Sequence, residues 1–565
     1  MRAKKSTAVV VVGDFGAREV GERQLLAGTT EASVLVYGRR VPGEVSPGDD
    51  RICAADVMAT LSLATDLGHG SDFEHGLRST LFAMRLAQRL DVDQQTASET
   101  YYASLLLYIG CTADAHRGAE VFGGSFETLG TYTAPVEYGS PRESFGGLLA
   151  GIAPGRAPAV RAAAIARTLP KAARAKPHVF AATCEVACML SDRLGLPSTV
   201  SVLFAHLFAR WDGKGEVGDA KGEEIPLPIR IAHVAHDADI QRELGGAEHA
   251  ADVIRARAGG AFDPAIVARF VEDAPEILAL DDDTSAWNAV LASEPGPRLT
   301  LEGEAIDRAL AAMGDFADLP SPYLVGNSAA VARLASEAAR RYGLEATEAI
   351  TLRRAALVHD LGRVAVPVRI WQKPGPLTPG EWEKVRLHPY HSERVLCHAP
   401  VLAAIAPVAS AHHERLDGSG YHRGAVSSSL TRPARLLAAA DAYHAMTQPR
   451  PHREAMAPVQ AATTLGAEAN AGLLDADAVA AVIEAAGQPA PRLERPAGLT
   501  EREAEVVGLL ARGLQTKQVA RQLGISVKTA DRHVQNAYGK IGVSTRAGAT
   551  LFAMEHGLAG WEDRR

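Results

Sequence analysis

The strongest constraint on the fold is an internal repeat in the sequence. Three short segments recur later in the chain, in the same order, at separations of 252, 205 and 212 residues. One such match in alanine-rich sequence carries little weight, but three in order favour a duplicated module. We therefore predict a first copy over residues 51–293 and a second copy over residues 300–486. The paired segments are 105–110 with 357–362, 210–215 with 415–420, and 260–263 with 472–475.

The spacing of apolar residues predicts an all-α, multidomain chain. Apolar residues and alanines recur at intervals of three and four, as in residues 329–342 and 504–510, which is the helical period. Only residues 9–12 and 33–37 have a strand-like pattern, so we expect at most a small β element in the poorly defined segment 1–50. Pro/Gly-rich stretches that mark the predicted boundaries lie at 41–48, 294–297 and 487–496.

Composition excludes several classes of protein. The 565 residues are 47% hydrophobic and 22% charged, with a formal net charge of −8, which is typical of globular domains and not of disordered, collagen-like or coiled-coil chains. The five cysteines form no CxxC pair and are too few for a disulfide framework. Because no apolar run reaches about 18 residues and the stretch 8–12 is too short for a secretory signal, we expect a cytoplasmic protein with no membrane partner.

Histidine and aspartate residues in the second copy form a candidate metal site. Imidazole nitrogens and carboxylate oxygens are natural ligands for Fe, Mn or Zn, and one carboxylate can bridge two ions. A single His–Asp pair is more often a surface or capping feature. Adjacent histidines in apolar sequence are harder to explain in that way, because burying unpaired imidazoles is unfavourable. Six candidate ligands follow in order: His359, Asp360, His388, His412, His413 and Asp441.

These residues and their neighbours resemble the HD-GYP branch of the HD phosphohydrolases. The matching motifs are 359–362 (HDLG), 388–389 (HP), 412–421 (HHERLDGSGY) and 441–445 (DAYHA). The resemblance implies a helical core with a di-iron or di-manganese centre that hydrolyses cyclic di-GMP to linear pGpG or GMP. It also implies that Asp360 bridges the metals, that His359 and Asp441 bind one ion, and that the three other histidines bind the second.

The resemblance extends to catalysis and substrate binding. Two cations lower the pKa of a bridging water and offset charge on the attacked phosphate. Asp360, Arg363 and Arg415 are the implied catalytic residues, and the planar guanidinium of Arg415 suits a phosphate oxygen. The implied substrate-binding residues are Arg415, Asp417, Gly418, Gly420 and Tyr421.

The second copy departs from the family pattern at several positions. His422 stands where the family has proline, and Arg363 stands where it has lysine. Asn327 and Tyr323 replace a family histidine and glutamate, so we expect no third metal, and the first metal lacks one ligand unless Asn327 or water supplies it. His422 is either a base contact or a surface residue, and we favour the surface. An alternative function is a transcription factor that senses a nucleotide without hydrolysing it, or hydrolysis of another nucleotide.

The first copy lacks most of the candidate ligands. By the separations above, the six ligand positions correspond to Leu107, Tyr108, Thr183, Leu207, Phe208 and His236, while His75 lies opposite Asn327. Two imidazoles do not make a dimetal site, so we predict a catalytically silent domain whose apolar replacements fill the space of the metals. The loop 211–215 is either a simple turn, which we favour, or a nucleotide contact. Cys184 and Cys188 are expected to be core residues.

The C-terminal region, residues 498–565 after a linker at 487–497, carries a helix-turn-helix pattern. Thr500 and Glu503 form a capping box at a helix start, and Gly524 and Ser526 supply a turn and the next N-cap. From residue 512 to 546 there are seven basic residues and one acidic residue, in a chain whose net charge is −8. Basic charge is thus concentrated where phosphates would be met.

Residues 499–551 resemble the LuxR-type DNA-binding domain, for example in 519–529 (VARQLGISVKT) and 540–543 (KIGV). The resemblance implies four helices, a recognition helix from Val527 to about Gly539, double-stranded DNA as partner and binding as a homodimer. Val527 and Val534 are expected to pack inward. A protein-binding helical module is the alternative. The candidate DNA contacts are Lys517, Lys528, Thr529, Arg532, His533, Gln535 and Lys540.

Overall fold

The computed structural model describes residues 51–112, 135–137, 140–281, 284–489, 496–556 and 558. Helices dominate these residues, which confirms the all-α prediction. The two strand-like stretches near the N-terminus and most of the predicted linker lie outside the described residues. The one sheet among the described residues is an antiparallel pair, β1 (Arg51–Cys53) and β2 (Thr300–Glu302), with Ile52 opposite Leu301.

The first copy contains nine described α-helices and a 3₁₀ turn at Ile109–Thr112. In α7 the backbone kinks at Gly246, where φ is +85°. The helices are α1 (Ala54–His69), α2 (His75–Arg89), α3 (Gln94–Leu105), α4 (Pro141–Gly151), α5 (Pro158–Arg193), α6 (Ser198–Ser201), α7 (Leu227–Ala256), α8 (Pro264–Ile277) and α9 (Ala286–Ala292).

The second copy and the C-terminal region follow. A 3₁₀ turn at Leu361–Ala365 interrupts the helices of the second copy. These helices are α10 (Glu304–Asp318), α11 (Asn327–Tyr342), α12 (Ala346–Val358), α13 (Val368–Trp371), α14 (Pro379–Arg386), α15 (His388–Leu396), α16 (Pro400–Ala409), α17 (Arg432–Thr447), α18 (Pro458–Asn470) and α19 (Ala476–Ala485). The C-terminal helices are α20 (Glu501–Ala511), α21 (Thr516–Gln522), α22 (Val527–Ile541) and α23 (Arg546–Glu555).

Equivalent structural details occur in both copies at the separations seen in the sequence. Asp66 accepts a hydrogen bond from the backbone N–H of Gly76 near the start of α2, and Asp318 accepts one from Ser328 near the start of α11. A Cβ at Gly110 would lie 2.0 Å from a carbonyl oxygen at residue 183, and one at Gly362 would lie 2.2 Å from the carbonyl oxygen at residue 388. These paired details support the duplicated module.

The two copies share one hydrophobic core. Besides the β1–β2 pair, helix α1 of the first copy packs against the 3₁₀ turn Leu361–Ala365 and against α15 of the second copy. Helix α10 of the second copy also packs against α5 of the first copy, and Arg193 of α5 forms an ion pair with Asp315 of α10. Met58 and Leu61 therefore belong to the same buried cluster as Leu361. The first copy supports part of the second copy's candidate site.

We expect Gly362→Ala to destabilise the protein by about 1–3 kcal/mol, the range for overpacking a tight core. The added methyl group would lie 2.2 Å from the carbonyl oxygen of His388 and 2.3 Å from the backbone nitrogen of Ser392, and backbone atoms cannot easily move away. Urea unfolding measures the change. Gly375→Ala is the matched control, because nothing lies within 4 Å of its Cβ position. Equal stability of both variants would contradict the prediction.

None of the helices in the described part of the chain combines the length and the apolar character that crossing a membrane requires.

Candidate metal centre and DNA-binding surface

The six predicted ligands of the second copy converge at the ends of its helices. His359 and Asp360 follow α12 directly, and His388 is the first residue of α15. His412 and His413 come just after α16, while Asp441 lies within α17. Five of the six are buried, and His413 is partly exposed. Residues 82 positions apart in sequence thus come together in one site.

The ligand atoms of these side chains lie close enough to one another to bind shared metal ions. The Nε2 atoms of His388 and His412 are 3.0 Å apart, and each lies 3.4 Å from Oδ1 of Asp360. His359 Nε2 lies 3.0 Å from Oδ2 of Asp360 and 3.6 Å from Oδ1 of Asp441. Two groups of three have all their ligand atoms within 4.8 Å of one another: His388, His412 and His413; and His359, Asp360 and His412.

Backbone carbonyls orient three of the imidazoles. The Nδ1–H groups of His359, His388 and His412 donate to the carbonyl oxygens three residues earlier, at distances of 2.8, 2.6 and 2.6 Å. Each ring therefore turns Nε2 toward the centre, which is the usual arrangement of metal-binding histidines. Burial lowers the pKa of His388 to about 4, so this ring is neutral at pH 7 and its lone pair is available.

Polar atoms at the centre lack hydrogen bonds, as expected where a ligand completes a site. Among the described residues, the buried atoms Asn327 Oδ1, His359 Nε2, Asp360 Oδ1 and Asp441 Oδ1 make none. Buried polar atoms without partners are rare and unfavourable unless a ligand or water satisfies them. The Asn327 amide nitrogen donates to Asp360 Oδ2 at 3.2 Å, and the amide oxygen is left without a hydrogen bond. The donor set fits divalent transition metals.

Loading with metal is expected to release a proton and to be favoured at higher pH. Burial lowers the pKa of His359, but the carboxylates of Asp360 and Asp441 outweigh this effect and raise it to about 10. A metal ion needs the neutral ring, so the proton competes with the metal at every pH below about 10. Apparent affinity should rise from pH 6 to pH 9. Calorimetry in buffers of different ionisation enthalpy measures the proton, and pH-independent affinity without proton release would contradict this expectation.

Arg363 contacts the carboxylate that is predicted to bridge the metals. Its Nε lies 3.0 Å from Oδ1 of Asp360, and its guanidinium lies over the ring of Trp371 at 5.1 Å from the ring centre. Trp371 also donates to the carbonyl oxygen of Arg363 and packs edge-on against His388. This tryptophan fixes the arginine, a role that no sequence motif indicated.

The predicted substrate loop borders the histidines. Tyr421 packs on His413 with ring centres 4.7 Å apart. The Asp417 carboxylate accepts from both the backbone and the hydroxyl of Ser419, so Asp417 shapes the loop. At Gly420 a Cβ would lie 2.4 Å from the backbone nitrogen of Arg415, and Gly418 has φ of +79°, so both positions require glycine.

Two further residues of this site were missed in the sequence. The buried Glu414 carboxylate accepts from the backbone nitrogens of Arg423 and Ala425, both at 2.8 Å, and so closes the loop. Ser392 accepts from the backbone of Gly362 and donates to the carbonyl oxygen of His359, which ties α15 to the ligand segment. Glu414 lies inside the matched motif and could have been identified there, whereas Ser392 carries no sequence signal.

His422 is not the surface residue that we favoured from the sequence. Its side chain is 15% exposed, lies 3.6 Å from Oε2 of Glu393, and packs against Tyr390. The loop closed by Glu414 turns residue 422 back onto α15, which explains the burial. His422 is therefore part of the wall beside the substrate loop.

The first copy has apolar side chains at several ligand positions, as predicted. Leu107, Leu207 and Phe208 are all buried in the shared core. Thr183 donates its hydroxyl to the carbonyl oxygen of Val179 within α5. Cys184 is also buried in the core, with Cys188 packed against it. The space is not completely filled, because a small cavity remains beside His75, Tyr108 and His236.

The C-terminal region forms the predicted helix-turn-helix. Thr500 and Glu503 make the capping box of α20, and Ser526 caps α22 by accepting from the backbone of Thr529. Val534 packs inward, but Val527 is 50% exposed, so that expectation was wrong: the whole first turn, 526–529, lies at the surface. The exposed candidate contacts are Lys517, Lys528, Thr529, Arg532 and Gln535, with His533 half-buried.

Lys540 has an intramolecular role that the sequence did not indicate. Its ammonium group lies 2.6 Å from the buried Glu503 carboxylate and donates to the carbonyl oxygen of Gly498. These contacts tie the end of α22 to the start of α20. Lys540 is therefore omitted from the proposed DNA contacts.

Comparisons with known proteins agree with this organisation. The HD domain family matches residues 312–478, and the luxR family of bacterial regulatory proteins matches residues 497–553. The 3'3'-cGAMP-specific phosphodiesterase 3 of Vibrio cholerae is 28% identical over 448 residues, which are 76% of this chain and 94% of the relative. This match is much longer than the HD segment alone.

A second relative and a solved structure are also similar to this chain. The 3'3'-cGAMP-specific phosphodiesterase 1 of Vibrio cholerae is 34% identical over 163 residues, 29% of this chain and 38% of the relative. The crystal structure of a cyclic GMP-AMP specific phosphodiesterase from V. cholerae, V-cGAP3, covers 77% of this chain and 98% of its own, with a TM-score of 0.53 and 25% identity. The chain therefore contains an HD domain and a C-terminal domain of the luxR family of bacterial regulatory proteins, and over most of its length it is similar to a cyclic-dinucleotide phosphodiesterase.

Proposed function

We propose that the second copy is a phosphodiesterase that hydrolyses a cyclic dinucleotide at a two-metal centre and that its state is coupled to DNA binding by the C-terminal domain. The observations that carry this proposal are the buried His359, Asp360 and Asp441 atoms without hydrogen bonds and the two ligand sets that meet at His412, one of which contains Asp360. The names of the relatives favour cyclic dinucleotides such as 3'3'-cGAMP or cyclic di-GMP as the substrate class.

The residues have distinct roles in this proposal. Two divalent cations, iron or manganese, would lower the pKa of a water molecule and offset charge on the phosphate. His388, His412 and His413 would hold one ion and His359 and Asp441 the other, with Asp360 shared. The Asn327 amide oxygen is available as a further ligand.

Positively charged and aromatic side chains around the centre suit a nucleotide. Arg415, which is partly exposed and borders the loop, would bind a phosphate oxygen in planar, bidentate geometry. Tyr421 presents a ring beside His413 against which a base or ribose can pack. Arg363 contacts Asp360, the carboxylate that the two metals would share. From this position it would stabilise negative charge on the phosphate.

A test uses the full chain loaded with manganese or with iron under reducing conditions. It is incubated with cyclic di-GMP, with 3'3'-cGAMP and with a linear dinucleotide, and products are separated by chromatography. We expect a linear dinucleotide from at least one cyclic substrate, and no product after chelation of the metal. Absence of product from every nucleotide with a fully loaded centre would refute hydrolysis.

The Arg363–Asp360 ion pair favours a second candidate function. Because the guanidinium already neutralises the shared carboxylate, the site could hold a nucleotide without turning it over. The protein would then be a transcription factor that senses the nucleotide. Saturable binding of a cyclic dinucleotide without product, together with a ligand-dependent change in DNA affinity, would identify this function. Binding of DNA as a homodimer remains a prediction that sedimentation of the protein–DNA complex measures.

A further inference from the structure

The first copy retains a small cavity, into which several polar side chains face, at the position that corresponds to the metal centre of the second copy. Its volume is about 30 Å³, which is room for about two water molecules, or for one ion and a water. Helices α1, α2, α3 and α7 supply the walls. The lining includes the side chains of Ser62, Asp66, His69, His75, Ser104 and His236.

Two histidines at this cavity are arranged as a ligand pair. His75 Nε2 lies 3.0 Å from Nδ1 of His236. Two imidazole nitrogens bound tetrahedrally to one zinc ion, each about 2.0–2.1 Å from it, are about 3.4 Å apart. An ion here would therefore replace the hydrogen bond between the two rings and move the nitrogens apart by about 0.4 Å. The same separation of 3.0 Å joins His388 and His412, which belong to the candidate centre of the second copy.

A buried carboxylate fixes the ring of His75. The Nδ1 atom of His75 lies 2.7 Å from Oδ2 of Asp239, whose side chain is fully buried. Asp239 is held in turn by Arg78 and Arg242, which donate to its oxygens at 2.9–3.3 Å. A carboxylate behind the histidine is the common second layer of metal sites, because it orients the ring and makes its other nitrogen a better donor.

An unpartnered hydroxyl group also lines the cavity. Among the described residues, the Ser104 Oγ atom is buried and makes no hydrogen bond, and the residue as a whole is only 4% exposed. A buried hydroxyl group in that state is normally satisfied by water or by a ligand. A polar occupant of the cavity, such as water or a ligand of the ion, would satisfy this hydroxyl group.

We propose that the first copy binds a single divalent transition-metal ion through His75 Nε2 and His236 Nδ1, with oxygen ligands from cavity water. Imidazole ligands favour zinc, copper, nickel or iron over magnesium or calcium. The site is independent of the catalytic proposal, because it requires neither hydrolysis nor the ligands of the second copy.

The position of this ion gives it a structural consequence. It would join α2, which begins at His75, to α7, which carries His236. The loop before α2 contacts the second copy, because Arg394 of α15 stacks on Phe73 at 3.7 Å from the ring centre. The ion would therefore stabilise the support on which α15 and its metal ligand His388 rest.

The test measures metal content and stability, not activity. The background variant is the full-length protein with His388→Ala and His412→Ala, which disable the centre of the second copy. This protein is stripped with chelator, loaded with zinc and dialysed, and the zinc content per chain is then measured. We expect one zinc ion per chain and an increase in Tm on loading. Adding His75→Gln and His236→Gln should remove both the zinc and the increase in Tm. His249→Ala, an exposed histidine on α7, is the matched control and should retain both.

Cobalt supplies a second measurement on the same proteins. Cobalt bound by imidazoles gives a visible absorption band in the background variant, and single His236→Gln should abolish that band even if the double substitution does not fold. Absence of zinc from the background variant would overturn the proposal. Retention of zinc and of the cobalt band after His236→Gln would also overturn the proposal. Absence of zinc would leave His75 hydrogen-bonded to Asp239 and His236, whereas a signal that survives would place the metal on other ligands.

Discussion

Asp360→Asn is expected to reduce cyclic-dinucleotide hydrolysis by about 10³-fold or more, equivalent to about 4 kcal/mol of transition-state stabilisation. The Asp360 side chain is completely buried and lies within 3.4 Å of nitrogens from His359, His388 and His412. An amide has nearly the same shape but carries no negative charge, and its NH₂ group would face these nitrogens. Metal content should fall together with activity.

Initial rates with the cyclic substrate and metal analysis on the same samples measure both effects. Asp318→Asn is the matched control. Asp318 is equally buried in the same copy, but it accepts from the backbone and the hydroxyl of Ser328 and has no described hydrogen bond or ion pair with the six candidate ligands. This control should keep activity within a few fold. Turnover of Asp360→Asn within tenfold of the parent protein would contradict the assignment of the shared carboxylate.

Removing two basic side chains from α22 is expected to weaken DNA binding about 100-fold. Lys528 and Arg532 are exposed and one helical turn apart, so both face the same side of the predicted recognition helix. Loss of each contact is worth about 1.4 kcal/mol, a factor of about ten in affinity. If both contacts are to phosphates, the slope of log affinity against log salt should fall by about two.

The experiment titrates a generic DNA duplex with the full chain and with Lys528→Ala, Arg532→Ala at several salt concentrations. Arg308→Ala removes one basic group from the exposed side of α10 and serves as the charge control. Its affinity should match that of the parent protein. If the double variant keeps full affinity at low salt, α22 is not the DNA-contacting helix, and the C-terminal region would then fit a protein-binding module.

The sequence was sufficient to identify the candidate centre, because histidines and aspartates in apolar sequence have few explanations other than metal binding. His359, Asp360, His388 and the later ligands sit in short motifs, and the structure brings all of them together. Their division between two ions was implied by resemblance and stays a proposal. The helix caps at Thr500 and Ser526 were also predictable, because capping depends on local side-chain chemistry.

Features that depend on distant pairing could not be predicted. Nothing local to residues 51–53 indicates that they form a strand, since their partner begins at Thr300. The contribution of Trp371 to Arg363, and of Ser392 to the ligand segment, depends on how α13 and α15 fold back. The prediction that His422 lies at the surface was wrong for the same reason, because its burial follows from the closure of the loop by Glu414. In the first copy, apolar substitutions suggested a filled core, but the retained His75 and His236 keep a cavity open.

The shared core has a consequence for how this molecule loses its structure. Strand β1 and helix α1 complete a buried cluster that extends into the second copy, so neither copy can expose its half without uncovering apolar surface of the other. The two copies should therefore melt as one cooperative unit, with a single calorimetric transition for residues 51–486. An isolated second copy would expose that apolar surface to water. We therefore expect the smallest active fragment to begin at residue 51.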